Sequence, residues 1–478
     1  MKNKLLTISK IGLLAFTILV SQACQEDYEM VDPPMITDYD DDLDEEVVLQ
    51  KGLESYFVTQ FGEGDMDGTS WDQAMDVAGF RKLLSGSIDL SKSTIYMSQG
   101  KYVMSETGGL GVIIRKDIKA IKGGYSLLSE GTDLTNRRID TYKTVISGDV
   151  NGNNQADSGD CGLLLVKGGI IGIEGVTFQY GYLSNNDAKS NECGSGIYIN
   201  GNVNSTSVEL TDCIIRDCKT EAVNGQGGVA GGTAILIASG SSKLNNVKFL
   251  DNAADSRGGA IRCNSNKAVV FMNNCLITGN SVRELFGVGI QISSGHICMN
   301  NTAIVGNPGK GAALNGGGSF MLANSTIVGH DIDQEYGAFR CETSIDGDTK
   351  FINNLLISEN STAPSFILNG ANKEAYSMGY NLYQRVNNFT MGVSDTAYPT
   401  LVNGNLTEEG VYKWNIDQIG QVGGYAVKSF NPAASPMVNL GEVFVEWMGE
   451  DAFGLDQRGV TRNPDKMQMG AYDAVLSN

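Results

Sequence analysis

LNNVKFLDN (244–252), MNNCLITGN (272–280), MNNTAIVGN (299–307), LANSTIVGH (322–330) and INNLLISEN (352–360) are five copies of one theme. Each reads as strand, polar corner, strand. Anchored on Asn246, Asn274, Asn301, Asn324 and Asn354, the copies follow one another at steps of 28, 27, 23 and 30 residues. Asp212 and Gly175 hold the matching place in two earlier, weaker copies. Periods of this size are the mark of a solenoid. A second phrase recurs between copies: GSGIYI (194–199), GTAILI (232–237), GGAIRC (258–263), GVGIQI (287–292), GAALNG (311–316) and GAFRC (337–341). A third run precedes each anchor, as in AVVFM (268–272), HICM (296–299) and SFML (319–322).

Each run is short, apolar or β-branched, and bounded by Gly, Asn and Ser, which points to strands rather than to helical repeats. Stacked coils place each column at the strand spacing of about 4.8 Å, so that inward Ile, Val, Leu and Phe pile on like residues as a parallel ladder. Asn repeated at one corner tolerates a left-handed backbone and can link its amide to the next coil. The expected fold is all-β: a single-stranded, right-handed parallel β-helix with three strands per coil, an N-terminal cap and a C-terminal closing segment. The right-handed sense follows the general rule for parallel crossovers.

FLDNAADSRGGAI (249–261) resembles the paired FxxN and GGAI repeats of chlamydial-type polymorphic outer-membrane proteins. The whole run is similar to pectate-lyase-like right-handed β-helices. YFVTQFGEGDMDGTSWDQAM (56–75), TIYMSQGKYVMSE (94–106), IKAIKGGYS (118–126) and TVISGDVNGNN (144–154) follow the N-terminal order of the β-helix family called choice-of-anchor Q. ASPMVNLGE (434–442) and DQRGVTRNPDKMQMGAYD (456–473) look like that family's closing signature, with Gln468 where the family has Asp. The resemblance implies that the Gly-Thr-Ser-Trp segment leads into a helix, with Trp71 and DQAMDVAGFRKLL (72–84) forming an amphipathic lid. A solenoid needs one, because its open end exposes core and unpaired backbone. Asp456, Arg458 and Arg462 read as a capping salt-bridge cluster rather than as catalytic groups.

The first residues are an address. Lys2 and Lys4 precede an apolar core at 11–20 and the sequence Ser21-Gln22-Ala23-Cys24. This resembles a bacterial lipoprotein signal in which Cys24 carries the lipid, although Ser21 and Gln22 depart from the usual pattern. The apolar core is shorter than the roughly 20 residues a spanning helix needs. An acidic stretch follows at 25–46, with Pro33 and Pro34, and reads as a disordered tether. Acidic residues behind a lipidated Cys resemble the surface-export signals of Gram-negative lipoproteins, which places the protein in the outer membrane, held by its lipid alone and exposed at the cell surface. The expected division is signal peptide 1–24, tether 25–52, cap and first coils 53–160, regular coils 161–382, and C-terminal coils with closing segment 383–478.

The chain has 478 residues, 60 Gly and a net charge of −20. Such acidity argues against nucleic acid and anionic membrane surfaces as ligands. Besides Cys24 there are eight cysteines: Cys161, Cys193, Cys213, Cys218, Cys263, Cys275, Cys298 and Cys341. Cys213 and Cys275 share a column with Val247 between them, hence lie about 9.6 Å apart, beyond the reach of a disulfide. Most read as small stacked core residues, with a Cys213–Cys218 bridge across one corner left open.

Residues 149–160 carry sharper chemistry. Asp149, Asn151, Asn153, Asp157 and Asp160 stand at positions 1, 3, 5, 9 and 12 of a calcium loop, with the Gln155 carbonyl at 7. The run looks like the dockerin version of that loop, with Asn154 where Gly is usual and Asp rather than Glu at the end. The alternative is a polar turn between coils.

Candidate charged groups on the coils are Glu209, Asp212, Arg216 and Asp217 at one corner and Asp251, Asp255, Arg257 and Arg262 on the next coil. The expectation is a monomeric, surface-displayed β-helix that binds extended ligands, a polysaccharide or surface glycoconjugate, as an adhesin-like module. A polysaccharide lyase or glycoside hydrolase, which needs paired carboxylates or a base near calcium, and a structural stalk are the other readings.

Overall fold

The computed structural model describes residues 52–368, apart from 185–193, 203, 222–230, 284–286, 330–335, 342–348, 353 and 359–362, and short segments beyond. Cys24, the tether, and Asp456, Arg458 and Arg462 lie outside the described residues.

Alternating burial sets the strands. Ile235–Asn245, Ile261–Asn273 and Ile290–Asn300 lie side by side, with Ile235 against Ile261 against Ile290 at one end and Leu244 against Met272 against Met299 at the other. They belong to a first sheet of 17 described strands; a second sheet has 11 and a third has four. Successive coils pair in parallel throughout these sheets. The fold is therefore an all-β parallel β-helix, its crossovers right-handed as the rule for parallel connections requires.

Three strands per coil are present, but divided differently from the expectation. In the three coils of Ile235–Asn245, Ile261–Asn273 and Ile290–Asn300 the GGAI-type run and the run before the anchor form one long first-sheet strand, bent where the register shifts after Ile237 and Cys263. In the coils on either side they are separate strands of that sheet, Ile197–Asn200 with Thr206–Thr211 and Leu314–Gly316 with Ser319–Ala323. Gly240 and Gly295 sit near the bend at φ 107° and 104°, a conformation that suits glycine. The second-sheet strand follows the anchor, and Tyr182–Ser184, Lys219–Glu221, Ala253–Ala254 and Ser281–Val282 make the third sheet.

Two columns of left-handed residues turn the corners. Asp212, Asn246, Asn274, Asn301 and Asn324 have φ between 47° and 55°, with Gly175 at 68°. Tyr180, Asp217, Asp251, Gly279 and Gly306 make a second such column at the far end of the second-sheet strand. Asn354 needs a correction. Thr326 pairs with Leu355, which puts Asn354 beside Ser325, one column past the anchors. There it is buried and accepts the Ser325 N–H at 2.9 Å.

The amide ladder also departs from the expected column. Asn246 donates to Asp212 at 2.5 Å, but the longer run goes through the preceding residues, from Asn300 to Asn273 to Asn245 at 2.9 and 3.1 Å, and the anchor Asn324 joins it by donating to Asn300 at 2.9 Å. The extended residue before each anchor keeps register with its neighbours, Asn245 with Asn273 and Asn273 with Asn300. A second, fully internal ladder joins Asn252 to Asn280 to Asn307 at 2.8 and 3.0 Å. Each of these amides also donates to main-chain oxygens, those of Ile215, Phe249 and Ile277. They satisfy the backbone where second-sheet strands end and ladder bonds run out.

Inside, Phe178, Ile215, Phe249, Ile277, Ile304, Ile327 and Leu356 stack in one buried column. The outer side of the second sheet is closed too in the later coils, where Leu276, Val305, Val328 and Ile357 are at most 4% exposed. At the N-terminal end, helix α1 (Val77–Ser85) packs Phe80, Leu83 and Leu84 into the core. The expected helix at 72–84 is shorter because Met75 bridges to Val58 and the Asp76 carboxylate caps the Gly79 N–H at 2.8 Å. Trp71 instead joins an aromatic cluster with Phe57, Tyr96 and Tyr125.

No helix among the described residues is long and apolar enough to cross a membrane. Among the described residues seven cysteines, Cys213 and Cys218 included, are free and buried, and Cys193 lies outside the described residues.

Candidate functional site

Stacking brings together side chains that are far apart in sequence. In the first sheet Ile261 and Cys263, Ile290 and Ile292, and Leu314 point into the core, so the residues between and beside them face outward. Arg262 pairs with Gln291 and Gln291 with Asn315, one per coil. These three point away from the core yet are only 8%, 3% and 0% exposed. Asn315 Nδ2 donates to Gln291 Oε1 at 2.8 Å, and the Gly287 N–H donates to the same oxygen at 3.0 Å. Asn264 and Ser293 follow the inward Cys263 and Ile292 at the bend, where the register shifts and Asn264 pairs with Ser294. Asn315 Oδ1, Asn264 Oδ1 and Ser293 Oγ are enclosed without a hydrogen-bond partner. Three such atoms within three adjacent coils form a polar floor that is covered from solvent and whose acceptors are unmet. Buried polar groups rarely stay unsatisfied without a reason. Arg340 continues the column and lies over the Tyr336 ring at 4.9 Å.

Beside this floor the third sheet carries a charged rim. Lys219 pairs with Tyr182 and Ala253, and Ala253 with Ser281, so Glu221, Asp255 and Arg283, two residues further on in each, lie on consecutive coils. Tyr182 Oη donates to Glu221 Oε2 at 3.0 Å, Lys219 Nζ lies 3.1 Å from the same oxygen, and Arg283 meets Asp255 at 2.8 Å. The Lys219 hydrogen bond, opposed by burial and helped by Tyr182 and Arg283, holds the Glu221 carboxyl below its ordinary range.

The charged groups singled out in the sequence do not form one site. Glu209 pairs with Lys243 at 2.6 Å on the first sheet, Arg216 with Asp217 at 2.6 Å near the second corner, and Asp212 lies at the first corner. Of the next coil's set, Asp255 joins the rim and Arg262 the floor, while Asp251 is an exposed second-corner residue. Gln291, Asn315, Glu221 and Arg283 were not singled out, because neutral amides and single charges carry no local motif.

The loop at 149–160 is a separate feature. Asn154 is left-handed at φ 59° and its N–H donates to Asp149 Oδ2 at 3.1 Å across the loop. Lys101 Nζ meets that same oxygen, while Asp149 Oδ1 is buried with no partner. Burial pushes the Asp149 carboxyl up, but Lys101 and the Asn154 and Gly152 N–H groups outweigh it and hold it low. Asn151 Nδ2 and Asn153 Nδ2 both donate to Asp157, at 2.8 and 2.6 Å. Asp160 turns inward and accepts the Val150 and Asp157 N–H groups at 2.9 and 3.0 Å. Burial raises its pKa. Among the described residues no three His, Cys, Asp or Glu side chains converge as a metal site.

No protein-family model and no curated protein matches the chain. Among solved structures the chain is similar to a crystal structure of pectate lyase Pel9A, with a TM-score of 0.39 and 13% identity over 90% of this chain and 92% of that one.

Proposed function

We propose that the chain is a lipid-anchored protein of the outer-membrane surface that binds an extended polysaccharide on the outer side of its first sheet. The observation that carries the reading is the floor, where Asn264, Ser293 and Asn315 leave acceptor oxygens enclosed and unmet. Sugar hydroxyls supply the missing donors once the side chains that cover these oxygens turn aside for the ligand, and a polymer repeats as the coils repeat, at about 4.8 Å per step. Binding of soluble protein from residue 27 onward to a polysaccharide panel tests it. Asn315→Ala and Gln291→Ala are expected to weaken binding at least tenfold with the fold intact by circular dichroism. A panel that yields no ligand, or variants that bind as the parent does, would remove the reading in favour of a structural stalk. The anchor is tested by Cys24→Ser in the full chain, expected to shift the protein from the membrane to the soluble fraction.

A second reading, hydrolysis, is favoured by one observation: Glu221 and Asp255 hold equivalent places on adjacent coils beside the floor. Neighbouring coils lie about 4.8 Å apart, near the carboxylate separation of about 5 to 5.5 Å in retaining glycosidases. Release of reducing ends that is lost in both Glu221→Gln and Asp255→Asn would establish it; binding without products would leave the binding role.

A further inference from the structure

The loop at 149–160 holds one buried carboxylate oxygen that nothing in the chain satisfies. Asp149 is 1% exposed, its Oδ2 accepts from Asn154 across the loop, and its Oδ1 is enclosed without a partner. A carboxylate oxygen left so inside a protein costs more than a neutral one, and a cation or donor answers it. Independently, the amides of Asn151 and Asn153 both converge on Asp157. Their Oδ1 atoms accept the Asn153 and Gln155 N–H groups at 3.0 and 2.9 Å, and an amide oxygen so engaged keeps a second lone pair for a cation. The left-handed Asn154 gives the loop its central bend.

We propose that this loop binds a calcium ion through Asp149, the side-chain oxygens of Asn151 and Asn153, the Gln155 carbonyl and Asp157. Asp160 serves as a brace rather than a ligand. Its two oxygens are taken by the N–H groups of Val150 and Asp157, so the role expected of the twelfth position is replaced by a clamp that closes the loop. The donors are all oxygen, with no thiolate or imidazole, which suits a hard cation. An irregular ring of amides, carbonyl and carboxylates in a surface loop suits the flexible coordination of calcium better than the strict octahedron of magnesium. Two carboxylates only, one of them already facing Lys101, make it a weak site of the kind found in extracellular modules.

Calorimetric titration of the purified full-length chain, stripped with EDTA, tests this with CaCl2 and with MgCl2. Calcium is expected to bind one per chain with a Kd on the order of 0.1–1 mM and to raise the melting temperature, and magnesium to do neither at the same concentration. Asp157→Asn and Asn153→Ala remove ligands from the exposed side of the loop and are expected to weaken binding tenfold or more. Asp160→Asn is expected to lower the melting temperature in EDTA as well. No calcium heat up to about 10 mM, ten times the weak end of that range, overturns the proposal. So do equal responses to the two metals, or unchanged titrations of Asp157→Asn and Asn153→Ala.

Discussion

Cys161, Cys213, Cys218 and Cys275 lie in the solenoid core, and burial pushes each thiol up to about 12 from an ordinary value of 9.0. The thiolate is the nucleophile, so at pH 8 these residues hold about a thousandth of the thiolate of a free cysteine. Alkylation by iodoacetamide, read by mass spectrometry, is expected to leave all four unmodified in the folded chain and to modify them once it is unfolded. Labelling at the free-thiol rate would mean the coils open readily. Asp149 carries a pH signature of the same local kind. Its folded pKa lies below the ordinary 3.8, so its stabilising contribution is present above about pH 4 and lost as pH falls through the folded value. Lys101→Met removes the ammonium and leaves burial to raise the pKa. Stability of the variant relative to the parent is then expected to improve on acidification from pH 7 to 4, measured as melting temperature. A difference that is flat with pH would show that Lys101 does not set the charge of Asp149.

At the scale of elements, the two left-handed corners and the internal amide ladder decide how one coil hands over to the next. Asn280 accepts from the Asn252 N–H and amide at 3.1 and 2.8 Å and donates to Phe249 O and Asn307 at 2.9 and 3.0 Å. Asn280→Ala leaves several of these groups buried without partners, a loss of about 3 kcal/mol at 1–3 kcal/mol for each. Asn246→Gly keeps the left-handed backbone and removes only an exposed bond to Asp212, for a change within about 0.5 kcal/mol. Asn246→Val forces a β-branched residue into that conformation, at about 1–2 kcal/mol. Urea denaturation of the three variants is expected to rank them Gly, Val, Ala in increasing damage. The anchors were legible because one residue type favours that bend. The second corner was not, since Tyr180, Asp217, Asp251, Gly279 and Gly306 share a backbone shape but no letter. Asn252, Asn280 and Asn307 do share one, as the ninth residue of three copies, and could have been read. Asn354 misled because consecutive Asn residues leave the register to the strand pairing. Of floor and rim only Arg262 and Asp255 were legible, as charges, and the rest was not for a different reason: Arg262, Gln291 and Asn315 meet only through stacking, and the phrases that hold them look like core strands.

For the whole molecule, stability is a chain of neighbour contacts, each coil resting on the one before it and the one after. The N-terminal end is closed by α1, where Phe80 is fully buried and meets Tyr102 edge-on with ring centroids 6.3 Å apart. Lys116 Nζ ties the far end of that helix, donating to Leu83 O and Gly86 O at 2.7 Å each. Phe80→Ala empties the junction between cap and first coils, a change of about 3–5 kcal/mol for a buried phenylalanine. In a globular domain that loss would spread over one cooperative unit. In a solenoid it falls on the end, so amide exchange is expected to quicken most in Leu90–Ser98 and Val112–Arg115, less in Leu164–Glu174, and little in Ile290–Asn300. The gradient, read by hydrogen–deuterium exchange with peptide resolution, is the deciding quantity. A uniform rise along all the strands would show that the coils melt together, and the cap would then be one more piece of a single core rather than the element that keeps the end of the stack from unravelling.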